Sequence, residues 1–231
     1  LSNADAMKNE FISSVSHELR TPLTAIRGWA ETIRTERDPV IFKKGIRVIT
    51  NETERLSQMV EELLDFSRMQ SGHFTLQQSA MDVLAELGEA ALIYAERAKI
   101  EDITMTYEEP EMLPVVYGDK NRIRQVFINI IDNAIKYSNR GGTVKIVAGT
   151  SPEGDIRVTV EDNGCGIRKS DLPKIKTKFY KANHTKKGSG IGLAVADEII
   201  QMHGGTLTLE SEEGKGTKVT ITIPPQKTED K

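Results

Sequence analysis

Apolar residues recur at steps of three and four along the first third of the chain. Val15, Leu19, Pro22, Leu23, Ile26, Ala30 and Ile33 fall on one face of a helix predicted from about Ala6 to Glu36. Arg37-Asp38-Pro39 interrupts it, because a proline disfavours helix at the residue before it. A second helix follows to about Gln70. In it Ile49, Leu56 and Leu63 recur every seventh residue, with Met59 and Phe66 at the complementary positions of a heptad seam. Ser71-Gly72 ends that helix. Two helices leave part of such a seam wet, so the hairpin is expected to dimerise into a four-helix bundle.

The pattern changes after residue 72. Residues 79–99 read as a helix and Ile103–Tyr107 as a short strand, with Glu108-Glu109-Pro110 as a turn. From Asp119 to about Ser138 a strongly periodic helix buries Ile123, Val126, Phe127, Ile130, Ile131 and Ala134 on one face. Val144–Val147 and Ile156–Val160 alternate as half-buried strands. A helix from about Ile191 to His203 and strands over 206–211 and 218–223 complete the set. This order of elements predicts a sheet covered by helices on one face, and an α+β fold class overall.

Composition narrows the picture. At 231 residues two domains are expected; the boundaries read as 6–72 and 73–225. A net charge of -3 gives no field that would gather nucleic acid or anionic lipid. One cysteine, Cys165, excludes an internal disulfide and a multi-cysteine metal site. The four histidines show no metal-ligand spacing. No run approaches the roughly 20 apolar residues of a membrane span, so no membrane contact is expected within this fragment, and the single cysteine suits a reducing compartment. Leu1-Ser2-Asn3-Ala4 reads as a leftover of cloning, and the chain as a piece of something longer.

Four stretches carry candidate chemistry. His17 lies off the apolar stripe of its helix, so it should face solvent. A lone surface histidine is most often only that. Pro22, however, sits one turn on, where it removes a backbone hydrogen bond at a cost of about 3 kcal/mol or more, so the helix is expected to bend beside His17. In the 119–138 helix, Arg122, Asn129, Asn133 and Lys136 share one stripe. Asparagine costs a helix up to about 0.7 kcal/mol relative to alanine. A pair of solvated asparagines is the plain reading; a Mg²⁺–phosphate ligand set, with Asn133 offering a hard oxygen, is the other. Asp162-Asn163-Gly164-Cys165-Gly166 is either a hairpin turn or a strand-end carboxylate with glycines that admit a planar base. Lys187-Gly188-Ser189-Gly190-Ile191-Gly192-Leu193 runs straight into a helix, which favours an anion. It lacks the Gly-Lys-Ser/Thr of a Walker loop.

In this order the motifs resemble the transmitter region of a two-component sensor histidine kinase over about Met7–Pro224. Ser16-His17-Glu18-Leu19-Arg20-Thr21-Pro22-Leu23 resembles the family's phospho-acceptor box. Asn129 to Tyr137 resembles its N box, Asp162 to Gly166 its first glycine box and Gly188 to Leu193 its second. Gly214-Lys215-Gly216-Thr217 resembles a later one. One departure stands out: the F box usually has phenylalanine where this chain has Lys176, although Phe179-Tyr180-Lys181 fits. The charge is expected to loosen the packing of an ATP lid at about 176–190.

The resemblance implies a dimerising hairpin followed by an α/β sandwich of the Bergerat ATP-binding kind, with ATP and Mg²⁺ as cofactors. It implies His17, Glu18, Thr21 and Asn129 as catalytic residues and Asn133 as the metal ligand. Asn129, Asn133, Lys136, Tyr137, Asp162, Gly164, Gly166, Lys187, Gly188, Gly190, Gly192 and Leu193 would surround the nucleotide. It further implies a homodimer, a response-regulator receiver domain as partner, phosphotransfer to its aspartate, a phosphatase role for Thr21, and a cytoplasmic location as part of a membrane-attached sensor kinase. A docking scaffold without phosphotransfer, and a Bergerat-type ATPase without phosphohistidine, remain as alternatives.

Overall fold

The computed structural model describes residues 3–176 and 191–225, except for the side chains of residues 3–11 and 14. The chain divides into two compact units, one built on residues 3–74 and the other on Thr75–Lys176 with Gly192 onward.

The first unit is an antiparallel hairpin of α1 (Asn3–Ile33) and α2 (Pro39–Gln70). Asp38 starts α2: its carboxylate accepts from the Val40 N–H at 2.8 Å, and Pro39 follows in the first turn. The helices cross closely at Gly45, where a Cβ would come within 2.9 Å of the Trp29 ring. The Lys44 ammonium lies 5.7 Å from the centre of that ring. Met59 is buried, while Ile49, Leu56, Leu63 and Phe66 are half-buried. Leu23, Ile46, Val60 and Leu64 remain exposed, so one copy of the hairpin leaves apolar surface in water. Pro22 is buried and α1 stays helical through it; the helix does not break at the proline.

The second unit is a two-layer sandwich. Its five-stranded sheet has the order β2 (Thr104–Glu108), β4 (Thr143–Thr150), β5 (Ile156–Asp162), β7 (Gly216–Ile223) and β6 (Thr206–Glu212). β2 and β4 run parallel; the other neighbours are antiparallel. Helices α3 (Val83–Ile100), α4 (Lys120–Tyr137) and α5 (Gly192–Met202) pack side by side over it. Alternation builds the core: Val144, Ile146 and Ala148 of β4 and Ile156, Val158 and Val160 of β5 face inward, as do Val219, Ile221 and Ile223 of β7. From α4 they meet Ile123, Val126, Phe127, Ile130, Ile131 and Ile135.

The helix expected over 79–99 is two elements. Ser79–Met81 forms β1, which pairs with β3 (Val116–Gly118), and Asp82 then caps α3 by accepting from the Leu84 N–H at 2.9 Å. A capping aspartate cannot sit inside a helix it begins. The same device starts α4, where the Asp119 carboxylate accepts from the Asn121 and Arg122 N–H groups. Its other oxygen accepts from the Gln77 N–H at 2.9 Å, which fastens the segment before β1.

Candidate functional site

In the hairpin, His17 is exposed on α1. The Thr21 hydroxyl, also exposed, donates to the His17 carbonyl oxygen at 3.3 Å. Glu18 is half-buried, and its carboxylate lies 3.6 Å from Arg55 of α2, whose guanidinium also stands 3.5 Å from Glu52. The antiparallel register that lays Trp29 on Gly45 brings Arg55 opposite Glu18. Sequence spacing held no sign of this pair, because it joins residues far apart in the chain.

The second unit gathers another group. Asp162 takes the next inward place after Ile156, Val158 and Val160 on β5, where an apolar residue would continue the core. It is 9% exposed, and burial pushes its carboxyl up from the ordinary value. The N–H groups of Gly164 and Thr217 pull the other way, and Glu161 adds a smaller upward push. The Gly164 N–H donates to Asp162 Oδ1 at 2.9 Å. Gly164 has no room for a side chain, since a Cβ there would overlap the Tyr137 carbonyl. That carbonyl accepts from the Cys165 N–H at 3.1 Å and ties the end of α4 to the end of β5. Gly166, at φ +64°, and Gly216, at φ +121°, bring backbone equally close, Gly216 directly against the Asp162 carbonyl.

On α4, Asn129 is buried and donates its side-chain N–H to the Gly192 carbonyl at 3.2 Å, which fixes the first turn of α5. Asn133, Lys136 and Tyr137 are half-buried, and the Lys136 ammonium lies 5.2 Å from the centre of the Tyr137 ring. Arg122 donates to Gln125 at 3.0 Å. The N-box residues, the Asp162 turn and the start of α5 therefore meet at one end of the sheet. Lys187, Gly188 and Gly190 lie outside the described residues, as do Phe179, Tyr180 and Lys181. Lys176 is described and its side chain is paired, whereas the rest of the expected lid, 177–190, lies outside the described residues. The Lys176 ammonium pairs with Asp197 of α5 at 3.2 Å and donates to the Leu207 carbonyl of β6 at 2.8 Å.

A metal would find no cage of acids here: among the described residues no group of three or more His, Cys, Asp or Glu could hold an ion. A neutral oxygen such as Asn133 suits Mg²⁺ that also binds substrate phosphates.

Residues 7–72 match the family described as the His Kinase A (phospho-acceptor) domain. Residues 118–227 match the histidine kinase-, DNA gyrase B- and HSP90-like ATPases. The chain is 34% identical over 230 residues to the sensor protein SrrB of Staphylococcus aureus (strain MRSA252), covering 96% of the chain and 39% of that protein. It is 35% identical over 227 residues to the sensor histidine kinase WalK of Bacillus subtilis (strain 168), covering 95% and 37%. The chain thus spans under two-fifths of these relatives. Among solved structures, the Acinetobacter baumannii histidine kinase AdeS superposes with a TM-score of 0.69 at 29% identity, covering 91% of this chain and 98% of that one. The histidine kinase ThkA, solved in complex with the response regulator protein TrrA, gives 0.71 at 27% identity, covering 96% and 63%. No described helix is long and apolar enough to cross a membrane.

Proposed function

The chain belongs to the sensor histidine kinases of two-component systems, and from that membership we propose that it phosphorylates itself on His17 and passes the group to a response-regulator aspartate. One observation carries the reading: an exposed histidine in the phospho-acceptor match shares a chain with a buried strand-end carboxylate in the ATPase match. Residues 6–72 are the acceptor domain and 73–225 the ATP-binding domain.

Asp162 accepts a hydrogen bond from the exocyclic amine of adenine, and Gly164 and Gly166 let backbone lie against the base. Tyr137 lines the base pocket. Asn129, Lys136, Gly192 and Leu193, with Lys187, Gly188 and Gly190, attend the phosphates, where positioning and charge neutralisation supply most of the catalysis. Asn133 would hold Mg²⁺, which when bound neutralises phosphate charge. His17 Nε2 attacks the γ-phosphorus; the N–P bond forms, the bridging P–O bond breaks, and ADP leaves with the electron pair. Glu18 accepts the Nδ1 proton, stabilising the ring as positive charge builds. The Arg55 pair is the contact that Glu18 must share with the ring to do so.

Incubation with γ-labelled ATP and Mg²⁺ is expected to give acid-labile label that is absent from His17→Ala. Acid-stable label, or equal label in the variant, would overturn the reading. Thr21, exposed one turn from His17, is the candidate to position water for dephosphorylating the regulator. Thr21→Ala should keep autophosphorylation and slow regulator dephosphorylation; an equal loss of both would end that division of roles. The exposed apolar residues of the hairpin favour a homodimer in a four-helix bundle, and a cytoplasmic receiver domain as partner fits the family. Lys176, which would favour a scaffold without transfer, is paired and thus gives that alternative little support.

A further inference from the structure

Lys176 stands where phenylalanine is usual in the family, yet the fold gives its charge two partners. Asp197 Oδ1 lies 3.2 Å from the ammonium and the Leu207 carbonyl oxygen 2.8 Å. Asp197 is itself held, because its second oxygen accepts from Gln201 Nε2 at 3.0 Å. The carboxylate is only 15% exposed and the lysine 38%, so the pair is better shielded from salt than a surface bridge. It ties the segment after the 3-10 turn Leu172–Lys174 to two elements at once, α5 and the edge strand β6.

Helix α5 also carries the other half of a polar contact at its first residue. The Gly192 carbonyl accepts from Asn129, and the apolar face behind it seats Val195, Ala196, Ile199 and Ile200 in the core. Apolar packing is non-directional and tolerates small rotations. A hydrogen-bonded ion pair one to two turns along the same helix does not. We propose that Lys176 is a positioning residue for nucleotide binding: through Asp197 it sets the rotation of α5, and with it the placement of Gly192 and Leu193 against Asn129. An electrostatic fastening here takes the place of an apolar one. This rests on the reading that the second unit binds nucleotide.

The test is a double-mutant cycle on the whole chain, with ADP and Mg²⁺ as the titrated probe. Lys176→Met and Asp197→Asn should each weaken ADP binding about fivefold, and the double variant should lose no more than either. Lys176→Arg should stay within about twofold of the parent. The same singles should raise the KM for ATP while leaving the rate at saturating ATP unchanged, a split that general loss of folding would not give. Unchanged ADP affinity in either folded single variant, or losses that multiply to about 25-fold in the double, would overturn the proposal. Should Lys176→Met not fold, Asp197→Asn decides alone. A parent chain that binds ADP but never labels His17 would sink the kinase reading, whereas the affinities decide this one.

Discussion

Asp162 takes a place that the alternation of β5 assigns to an apolar side chain. Burial disfavours its charged form, so its carboxyl titrates above the ordinary aspartate value. On its own, this raised value makes a contribution to stability that is fully present below the unfolded pKa and lost as pH rises through the folded one. Under the proposed role, an amine donor from adenine would reverse the preference, because it favours the carboxylate. ADP affinity should therefore fall as pH drops through the raised value, from a higher pH than an ordinary aspartate would give, as a calorimetric pH series would read. Asp162→Asn should flatten that dependence and weaken binding by at least tenfold, the scale set by a hydrogen bond to a charged group. Gly164→Ala is expected to fold poorly or melt lower, since its methyl needs the space of the Tyr137 carbonyl. Asp162 was legible in the sequence as a polar residue ending an alternating run. Arg55 was not, because nothing local announces a partner on the other helix.

Among the elements, the helices were the most readable and the short strands the least. Periodicity over 18 residues marks α4 clearly. The three residues of β1 carry no such signal, and only the pairing with β3 makes them a strand. Aspartates set three helix starts, at Asp38, Asp82 and Asp119. Asp119→Ala removes the α4 cap and the tie to Gln77 together, so it should cost the second unit roughly 2 kcal/mol or more in urea unfolding. In the hairpin, the Glu18–Arg55 pair is shielded enough to matter. Arg55→Met should cost about 1 kcal/mol of hairpin stability and change the rate of His17 labelling more than the KM for ATP. Pro22 shows how tertiary packing overrides local preference: buried against the hairpin, it is accommodated within an unbroken helix.

At the scale of the whole molecule, the two units differ in what their cores can sustain. The second closes its apolar residues between sheet and helices. The hairpin leaves Leu23, Ile46, Val60 and Leu64 wet, so its stability should depend on protein concentration. Sedimentation equilibrium should show a dimer, and heating should give a transition that rises with concentration beside one that does not. A monomer with a single concentration-independent transition would contradict that. The closed turn after β5 has a further consequence, for chemical ageing. Asn163-Gly164 is a sequence prone to deamidation, in which the glycine nitrogen attacks the asparagine side chain and closes a succinimide ring. Here that nitrogen's N–H is given to Asp162, and the Asn163 side-chain oxygen accepts from the Thr143 N–H at 2.8 Å. Both reacting groups are held by other partners. Mass spectrometry of stored folded protein should find Asn163 intact, and a denatured sample should gain isoaspartate there, so the bond that holds the Asp162 carboxylate also preserves the chain beside it.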